Sequence, residues 1–489
     1  MTITSVDPGA ANVRAPIWAA TAIIDGRPTG RVRFTADDSG RITAVERGVE
    51  PQTGDRRLGT VIPGMGNAHS HAFHRLLRGR THADGGDFWQ WREAMYAAAA
   101  SLDPDHYGRV ARAVFGEMLV CGWTAVGEFH YVHHQADGTP YPTAHAMELA
   151  VAEAAADVGI RLTLLDTAYL ASGLGSAGGP AAPLLTEQLA FGDGDASGWL
   201  ARWHRLRAAL SGSVGATGLV TLGAALHSVR AVPVDAMRTI LAGLPDDVPL
   251  HVHLSEQPQE NVDTLAKTGR TPTGVLAALG ALAPRISLVH ATHLTDADIT
   301  AIGRSGATVV MCPTTEADLG DGIGPARRLA DAGARIAVGS DQNAVVDPLL
   351  ELRGLEAGER LASGRRGRFS PAELLEAGTD NGYRSLGLGR HTLDVGDPLD
   401  LVEVSMSSLR TTGMDPAQLA LVATASDVER VVVGGRLVAE RGRLIATSQE
   451  STPEQLLAVA LAELAASTET PRAATSSPTP DHLSQETQP

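Results

Sequence analysis

The central part of this 489-residue chain alternates short apolar segments with longer stretches rich in Ala, Leu and Arg. Short apolar segments are typical of buried strands, and the stretches between most of them have the length of helices. Strands that alternate with helices pair in parallel, and eight repeats between residues 61 and 340 match a (β/α)8 TIM-like barrel. The eight segments are Val61–Gly64, Thr124–Phe129, Arg161–Thr167, Val220–Ala225, Pro249–Leu254, Ile286–Ala291, Ala307–Cys312 and Arg335–Ser340.

Both ends of the chain differ from this middle and read as short β segments separated by turns. The pattern predicts a small β-sandwich domain assembled from residues 1–60 and 390–450, beside a barrel over residues 61–389. A C-terminal helix is predicted over residues 451–466. Residues 467–489 are rich in Ser, Thr, Pro and Gln and are predicted to be a disordered tail.

Composition narrows the class of protein. A formal net charge of −16 argues against nucleic-acid binding. The absence of a long uncharged apolar run argues against a membrane span, and the N-terminus lacks the pattern of a signal peptide. Only two cysteines, Cys121 and Cys312, occur far apart, which predicts a cytoplasmic protein. The Gly/Ala/Pro/Asp-rich stretch 173–198 is predicted to be a functional or disordered loop.

Metal-ligand side chains stand at the ends of four apolar segments: His69 with His71, His253, His290 and Asp341. Each alone has a simpler explanation, since a single buried histidine is more often a core residue and a strand-terminal aspartate a helix N-cap. In a parallel barrel, however, the carboxyl ends of all strands meet on one face. Imidazoles and a carboxylate gathered there suit zinc and leave room for a water molecule.

The order of these residues is similar to that of the amidohydrolase superfamily, and the resemblance runs from about residue 15 to residue 450. The fourth segment ends in Ala224–His227 without a lysine, which disfavours the dinuclear version with a carbamylated lysine. The His253-x-x-Glu256 spacing resembles the mononuclear deaminase branch.

Four motifs within that branch resemble the family of formimidoylglutamate deiminases. They are Asn67–Phe73, Phe88–Tyr96, Glu128–His134 and His227–Val232. The resemblance implies hydrolysis of N-formimino-L-glutamate to N-formyl-L-glutamate and ammonia in histidine degradation. It also implies a homodimer, with no nucleic-acid or membrane partner.

The resemblance implies one zinc ion per subunit, although another divalent metal could occupy similar ligands. The implied ligands are His69, His71, His253 and Asp341. Zinc lowers the pKa of a water molecule toward ~7, so that a zinc-activated hydroxide can attack the formimino carbon. The implied catalytic residues are Glu256, which protonates the departing nitrogen, and His290 with Asp341, which accept the proton of the water.

The substrate carries two carboxylates, so its site needs cationic or hydrogen-bonding groups away from the metal. Arg92, Tyr131, His227 and Arg230 match the substrate-binding positions of the family, and His74 and Asn343 are predicted to bind the substrate as well. A guanidinium can bind a carboxylate with two parallel hydrogen bonds. Two departures bear on substrate preference: His74 stands where the family often has glutamine, and Gln342-Asn343 where a serine commonly contributes.

Two alternatives remain open at this point. An aminohydrolase of a purine, pterin or triazine ring would use the same metal site and Glu256. Arg92, Arg230 and Tyr131 favour a dicarboxylate over a flat neutral ring. A non-catalytic barrel should have lost some metal ligands, whereas this chain keeps the full set.

Overall fold

The computed structural model describes residues 15–82, 88–176, 179–212, 217–445 and 452–469. The strands are β1 (Ile17–Ile24), β2 (Arg27–Ala36), β3 (Ile42–Arg47), β4 (Arg56–Pro63), β5 (Met65–Ser70), β6 (Trp123–His130), β7 (Arg161–Ala168), β8 (Val220–Ser228), β9 (Leu250–Leu254), β10 (Ile286–His290), β11 (Thr308–Met311), β12 (Arg335–Val338), β13 (Leu401–Val404), β14 (Val428–Val433), β15 (Arg436–Glu440) and β16 (Arg443–Leu444). The helices are α1 (Phe88–Ala100), α2 (Pro104–Cys121), α3 (Ala146–Val158), α4 (Ala196–Leu210), α5 (Val234–Gly243), α6 (Pro258–Thr268), α7 (Pro272–Ala278), α8 (Asp296–Ser305), α9 (Pro313–Leu319), α10 (Ala326–Ala332), α11 (Pro348–Ser363), α12 (Pro371–Gly378), α13 (Asp380–Ser385), α14 (Leu419–Val422) and α15 (Pro453–Glu469).

Strands β5 to β12 pair in sequence order and in parallel, which confirms the predicted eight-stranded barrel. The two ends of this sheet meet just beyond β5 and β12. There the Asp341 N–H donates to the His69 carbonyl and the His71 N–H donates to the Asp341 carbonyl, both at 2.9 Å. Gly339 permits this approach, since an added Cβ would lie 2.7 Å from the His69 carbonyl oxygen. The closure of the barrel therefore places two predicted metal-binding segments side by side.

Helix α2 illustrates how local sequence specifies an outer helix. The Asp103 carboxylate accepts the His106 N–H at 2.8 Å and caps the N-terminus, and Pro104 occupies the first turn, where no N–H is needed. Gly122 ends the helix at φ 105°, a left-handed conformation that favours glycine. The apolar face between these caps is buried and includes Val110, Val114, Phe115, Met118 and Leu119.

A second, mixed sheet combines strands from both chain ends, as predicted, in the order β3-β2-β1-β4-β13-β14-β15-β16. The predicted first barrel strand, Val61–Gly64, is wrong in position. Val61 and Ile62 belong to β4, which pairs with β1 and β13 in the mixed sheet. The barrel begins one residue past Gly64, at Met65, because the apolar run crosses from one sheet to the other without a polar break. The predicted domain boundaries themselves stay a prediction.

The stretch 173–198 is more ordered in its described part than predicted. A 3-10 helix spans Thr186–Phe191, and α4 already begins at Ala196. The Asp195 carboxylate caps α4 by accepting the Gly198 N–H at 2.8 Å. The buried α4 residues Trp199, Trp203 and Leu206 follow helical spacing, a signal that the glycine-rich composition obscured.

Helix α15 spans Pro453–Glu469, close to the predicted helix at 451–466. The predicted tail beyond it and the first 14 residues, on which the signal-peptide prediction depends, lie outside the described residues. Within the described part of the chain, no helix combines the length and apolar character needed to cross a membrane.

Candidate metal centre and active site

The predicted metal ligands converge at the carboxyl ends of three barrel strands. His69 and His71 lie at the end of β5, His253 lies in β9, and Asp341 follows β12. The His69 Nε2 is 3.1 Å from the His253 Nε2 and 3.4 Å from the Asp341 Oδ1. The His71 Nε2 is 3.5 Å from the same carboxylate oxygen. All four side chains are buried.

Hydrogen bonds orient two of these imidazoles toward the common centre. The Nδ1 of His71 lies 2.9 Å from the Phe129 carbonyl, and the Nδ1 of His253 lies 2.9 Å from the His227 carbonyl. A carbonyl only accepts, so each Nδ1 carries the proton and each Nε2 is left with a free lone pair. This is the tautomer that a metal-ligating histidine needs.

Burial and neighbouring charges set the protonation states that metal binding requires. Burial lowers the pKa of His69, and it lowers the pKa of His71 and His253 well below the ordinary value. Burial alone would raise the pKa of Asp341, but its hydrogen bond to His69 and the surrounding histidines hold that pKa below its usual range. Neutral imidazoles around a carboxylate are the ligand set of a divalent cation.

The donor spacing fits one metal ion. Ligands about 2.0–2.1 Å from a tetrahedral zinc ion lie about 3.3 Å from one another. The three donor distances of 3.1, 3.4 and 3.5 Å bracket that spacing. His69, His71 and His253 form one group that could hold a metal ion, and Asp341 forms further groups with members of the same cluster.

The predicted catalytic groups lie beside this cluster. The His290 Nε2 is 3.8 Å from the Glu256 Oε1 and 3.8 Å from the Asp341 Oδ2. On its other side, the His290 Nδ1 is 3.4 Å from the Glu316 Oε1. Burial would lower the pKa of His290, but Glu256, Glu316 and Asp341 raise it to about 10. Burial raises the pKa of Glu256, so this carboxyl group is suited to holding a proton.

The backbone at these strand ends is held in an unusual conformation. Five non-glycine residues there have a φ in the left-handed region: Ser255, His290, Ala291, Asp341 and Asn343. Such residues cost of order 1–3 kcal/mol each and persist where surrounding structure holds them. Here the Ala291 N–H donates to the Leu254 carbonyl at 2.9 Å, and the Asp341 N–H donates to His69. Two of the five strained residues, His290 and Asp341, line the site.

A pocket open to solvent lies over the cluster. Five of the six predicted substrate-binding residues line it: His74, Arg92, Tyr131, His227 and Arg230. The predicted catalytic residues Glu256, His290 and Asp341 line it as well. The structure thus brings a metal-type cluster, a carboxylic acid and two guanidinium groups into one space.

Comparison with known proteins places this architecture in a family. The model of the amidohydrolase family matches residues 60–438. The chain belongs to the amidohydrolase family. It is therefore an enzyme of the class that hydrolyses C–N bonds.

Three similar proteins illustrate the range of this family. A formimidoylglutamate deiminase of Pseudomonas aeruginosa is 36% identical over 441 residues, which cover 87% of this chain and 95% of that protein. A 5-methylthioadenosine/S-adenosylhomocysteine deaminase of Archaeoglobus fulgidus is 28% identical over 431 residues, with coverage of 87% and 93%. The crystal structure of an amidohydrolase from Brucella melitensis has a TM-score of 0.84 at 32% identity and covers 92% of this chain and 100% of that chain.

Asn343 is the predicted substrate-binding residue that this amidohydrolase does not place in the pocket. Its amide nitrogen donates to the His71 carbonyl at 3.0 Å and to the Ser70 hydroxyl at 3.2 Å. Its amide oxygen accepts the Ser340 hydroxyl at 2.7 Å. The fully buried side chain is committed to holding the β5 and β12 ends together, so the assignment to substrate binding is corrected.

Other pocket residues of the amidohydrolase were missed at the sequence level. They are Trp91, Met95, Tyr96, Tyr169 and Leu319. Trp91 and Tyr96 lie within the motif that contains Arg92, and Tyr169 directly follows β7, so their positions carried a signal. Nothing in the sequence indicated that Leu319 lines the pocket, because its approach to the pocket depends on how α9 packs.

A second group of metal-ligand side chains in the amidohydrolase does not line the pocket. His130, His133 and Glu148 form it. The His133 Nδ1 is 2.8 Å from Glu148 and its Nε2 is 2.9 Å from the Thr167 carbonyl, so both ring nitrogens donate. The Arg202 guanidinium also donates to Glu148 at 3.0 Å. His133 and Glu148 are therefore used in an ion-pair network, whereas the His130 Nε2 has no hydrogen-bond partner among the described residues.

Proposed function

We propose that the chain is a zinc-dependent deiminase that hydrolyses N-formimino-L-glutamate to N-formyl-L-glutamate and ammonia, a step of histidine degradation. The observation that carries the proposal is the pocket itself, which joins the metal-type cluster to Arg92 and Arg230. Two guanidinium groups in one small pocket suit a substrate with two carboxylates. The 36% identity to a formimidoylglutamate deiminase over most of both chains supports the same assignment.

Zinc is proposed because neutral imidazoles and one carboxylate suit it better than oxygen-preferring cations. His69, His71, His253 and Asp341 would hold the ion. When bound, the ion supplies a Lewis acid and lowers the pKa of water toward ~7. The remaining chemistry falls to side chains of this protein.

Arg92, Arg230 and Tyr131 bind and orient the dicarboxylate so that its formimino carbon faces the cluster. Asp341 accepts the proton that the attacking water loses. The pKa of His290, about 10, leaves that ring protonated at neutral pH, so His290 orients the attack and is not the base predicted from the sequence. Glu256 donates its proton to the formimino nitrogen, the bond between that nitrogen and the carbon breaks, and ammonia leaves. The balance is one water consumed, with N-formyl-L-glutamate and one ammonia formed.

Ammonia release by the purified, zinc-loaded protein tests the proposal. The substrates to compare are N-formimino-L-glutamate, N-formimino-glycine, guanine and adenosine. Fast release from the first substrate alone is the expected result. Release from a purine instead would favour a ring deaminase, the activity named in the Archaeoglobus fulgidus relative. No release from any of the four would overturn the proposal.

Arg230→Met is expected to raise the KM for N-formimino-L-glutamate by roughly 10- to 100-fold, with a much smaller effect on kcat. Arg230 lines the pocket and makes no hydrogen bond or ion pair with any other residue in the described ranges. Hydrogen bonds to charged groups contribute about 1.5–3 kcal/mol, which corresponds to that range. Steady-state kinetics of ammonia release measure the change.

The matched control for this variant is Arg238→Met, in helix α5. Arg238 is exposed and pairs with Asp235 at 2.6 Å on the same helix. Its replacement should leave KM unchanged. Equal KM values for wild type and Arg230→Met would refute the anchoring role of Arg230.

A further inference from the structure

Gln188 connects the stretch 173–198 to the wall of the pocket. It lies in the 3-10 helix Thr186–Phe191 and its side chain is fully buried. Its amide nitrogen donates to the Tyr96 hydroxyl at 2.8 Å and to the Tyr169 hydroxyl at 3.1 Å. Its amide oxygen accepts the Leu185 N–H at 3.0 Å. Both amide hydrogens of Gln188 are therefore used on two pocket tyrosines.

Tyr96 links Gln188 to Arg92, which is predicted to bind a substrate carboxylate. Its hydroxyl oxygen also accepts the Nε–H of Arg92 at 2.7 Å, and the two residues lie one turn apart on α1. A hydroxyl oxygen has two acceptor lone pairs and one hydrogen. Gln188 and Arg92 therefore use both acceptor positions of the Tyr96 hydroxyl. Both Arg92 and Tyr96 line the pocket, so the hydrogen bond between them lies in its wall.

Tyr169 links Gln188 to His227, a second predicted substrate-binding residue. Its ring contacts the His227 ring edge to face, with centroids 4.3 Å apart. The hydrogen bond from Gln188 therefore fixes a tyrosine against a second predicted substrate residue.

The short helix that carries Gln188 is itself held firmly. The Ala190 carbonyl accepts the N–H groups of His133 and His134, both at 3.0 Å. The Phe191 ring packs against the Tyr131 ring at 5.0 Å. These contacts hold the 3-10 helix that carries Gln188 in place.

We infer that Gln188 is a positioning residue that makes this pocket selective for a substrate with two carboxylates. It acts through Tyr96 on Arg92 and through Tyr169 on His227, and it need not touch the substrate. The inference rests on the proposed function, because it assigns Arg92 to a substrate carboxylate. Leucine at this position would keep the volume of the side chain and remove the hydrogen bonds to both tyrosines, which leaves two buried hydroxyl groups without this donor. It would also remove the acceptor of the Leu185 N–H, which the tyrosine variants below leave in place.

Gln188→Leu tests the inference by steady-state ammonia release. We expect the KM for N-formimino-L-glutamate to rise about 10-fold, as the loss of two neutral hydrogen bonds predicts, with kcat changed less than about 2-fold. The KM for N-formimino-glycine, which has one carboxylate, should rise less. This separation of KM from kcat, and of one substrate from the other, would not follow from a general loss of structure.

The double variant Gln188→Leu/Tyr96→Phe provides an independent measurement. If Gln188 acts through Tyr96, the two KM changes should not multiply, and the double variant should resemble the more impaired single variant. Gln135→Leu, at a half-buried position that does not line the pocket, is the matched control with an expected wild-type KM. Should Gln188→Leu fail to fold, Tyr96→Phe and Tyr169→Phe remove the same two hydrogen bonds from the other side.

The outcomes separate the two proposals. Wild-type protein that releases no ammonia from N-formimino-L-glutamate overturns the proposed function and this inference with it. Active wild type with an unchanged KM in Gln188→Leu overturns the inference alone. An equal loss of kcat on both substrates, with KM unchanged, also overturns it.

Discussion

Glu256→Gln is expected to slow ammonia release by about 10²–10⁴ while leaving the metal content of the protein unchanged. Glu256 lies two residues beyond β9, and its Oε1 is 3.8 Å from the His290 Nε2. It is absent from the cluster of metal-type donors, so its amide replacement should not release the ion. Glutamine fills the same space but cannot give up and recover a proton at neutral pH. Steady-state kinetics and metal analysis of the same preparation measure the two effects.

Glu260→Gln is the matched control for this variant. Glu260 is a buried glutamate four residues further along, in α6, and it does not line the pocket. Burial raises the pKa of Glu260 to about 7, so a neutral amide resembles a protonation state already accessible to it. Full activity in Glu256→Gln would remove Glu256 from the mechanism. Loss of the metal in that variant would instead make Glu256 a ligand.

The barrel and its cluster were predictable because both depend on regular geometry. Parallel strands end on one face of the barrel. The sequence alone therefore predicted that His69, His253 and Asp341 lie close together. The position of the first strand was harder. Val61 and Met65 belong to one nearly continuous apolar run, and only the pairing partners of each half show that the chain changes sheets there.

The errors at the site concern residues whose role depends on distant contacts. Asn343 has the chemistry of a substrate ligand, but its amide is used on Ser70, His71 and Ser340, from strand ends far apart in sequence. Gln188 shows the reverse case. It lies in a glycine-rich stretch without a motif, and its contacts with Tyr96 and Tyr169 arise only when that stretch folds onto the pocket. Neither role can be predicted from the residues that neighbour Asn343 or Gln188 in the sequence.

The buried ion-pair network around Arg202 shows how such distant contacts depend on the barrel. The Arg202 guanidinium, on α4, binds Asp166 at 2.8 Å, Glu148 at 3.0 Å and Asp193 at 2.7 Å. Burial alone would raise the pKa of Glu148, but His130, His133 and Arg202 hold it well below the ordinary value. The Glu148 and Asp193 carboxylates are therefore ionised inside the protein, and the Arg202 guanidinium compensates part of the negative charge of this network.

Arg202→Met is accordingly expected to destabilise the protein by about 3–5 kcal/mol, the usual cost of leaving buried charges without their partner. The midpoint of urea unfolding should fall while its slope stays unchanged. Arg205→Met, an exposed arginine one turn along α4, is the control and should match wild type. Equal midpoints for the two variants would contradict the compensating role of Arg202.

The effect of Arg202→Met should reach the pocket as well, because the network holds His133 and Asp193, which flank the segments carrying Tyr131 and Gln188. We therefore expect the folded fraction of Arg202→Met to show a raised KM in addition to its lower stability.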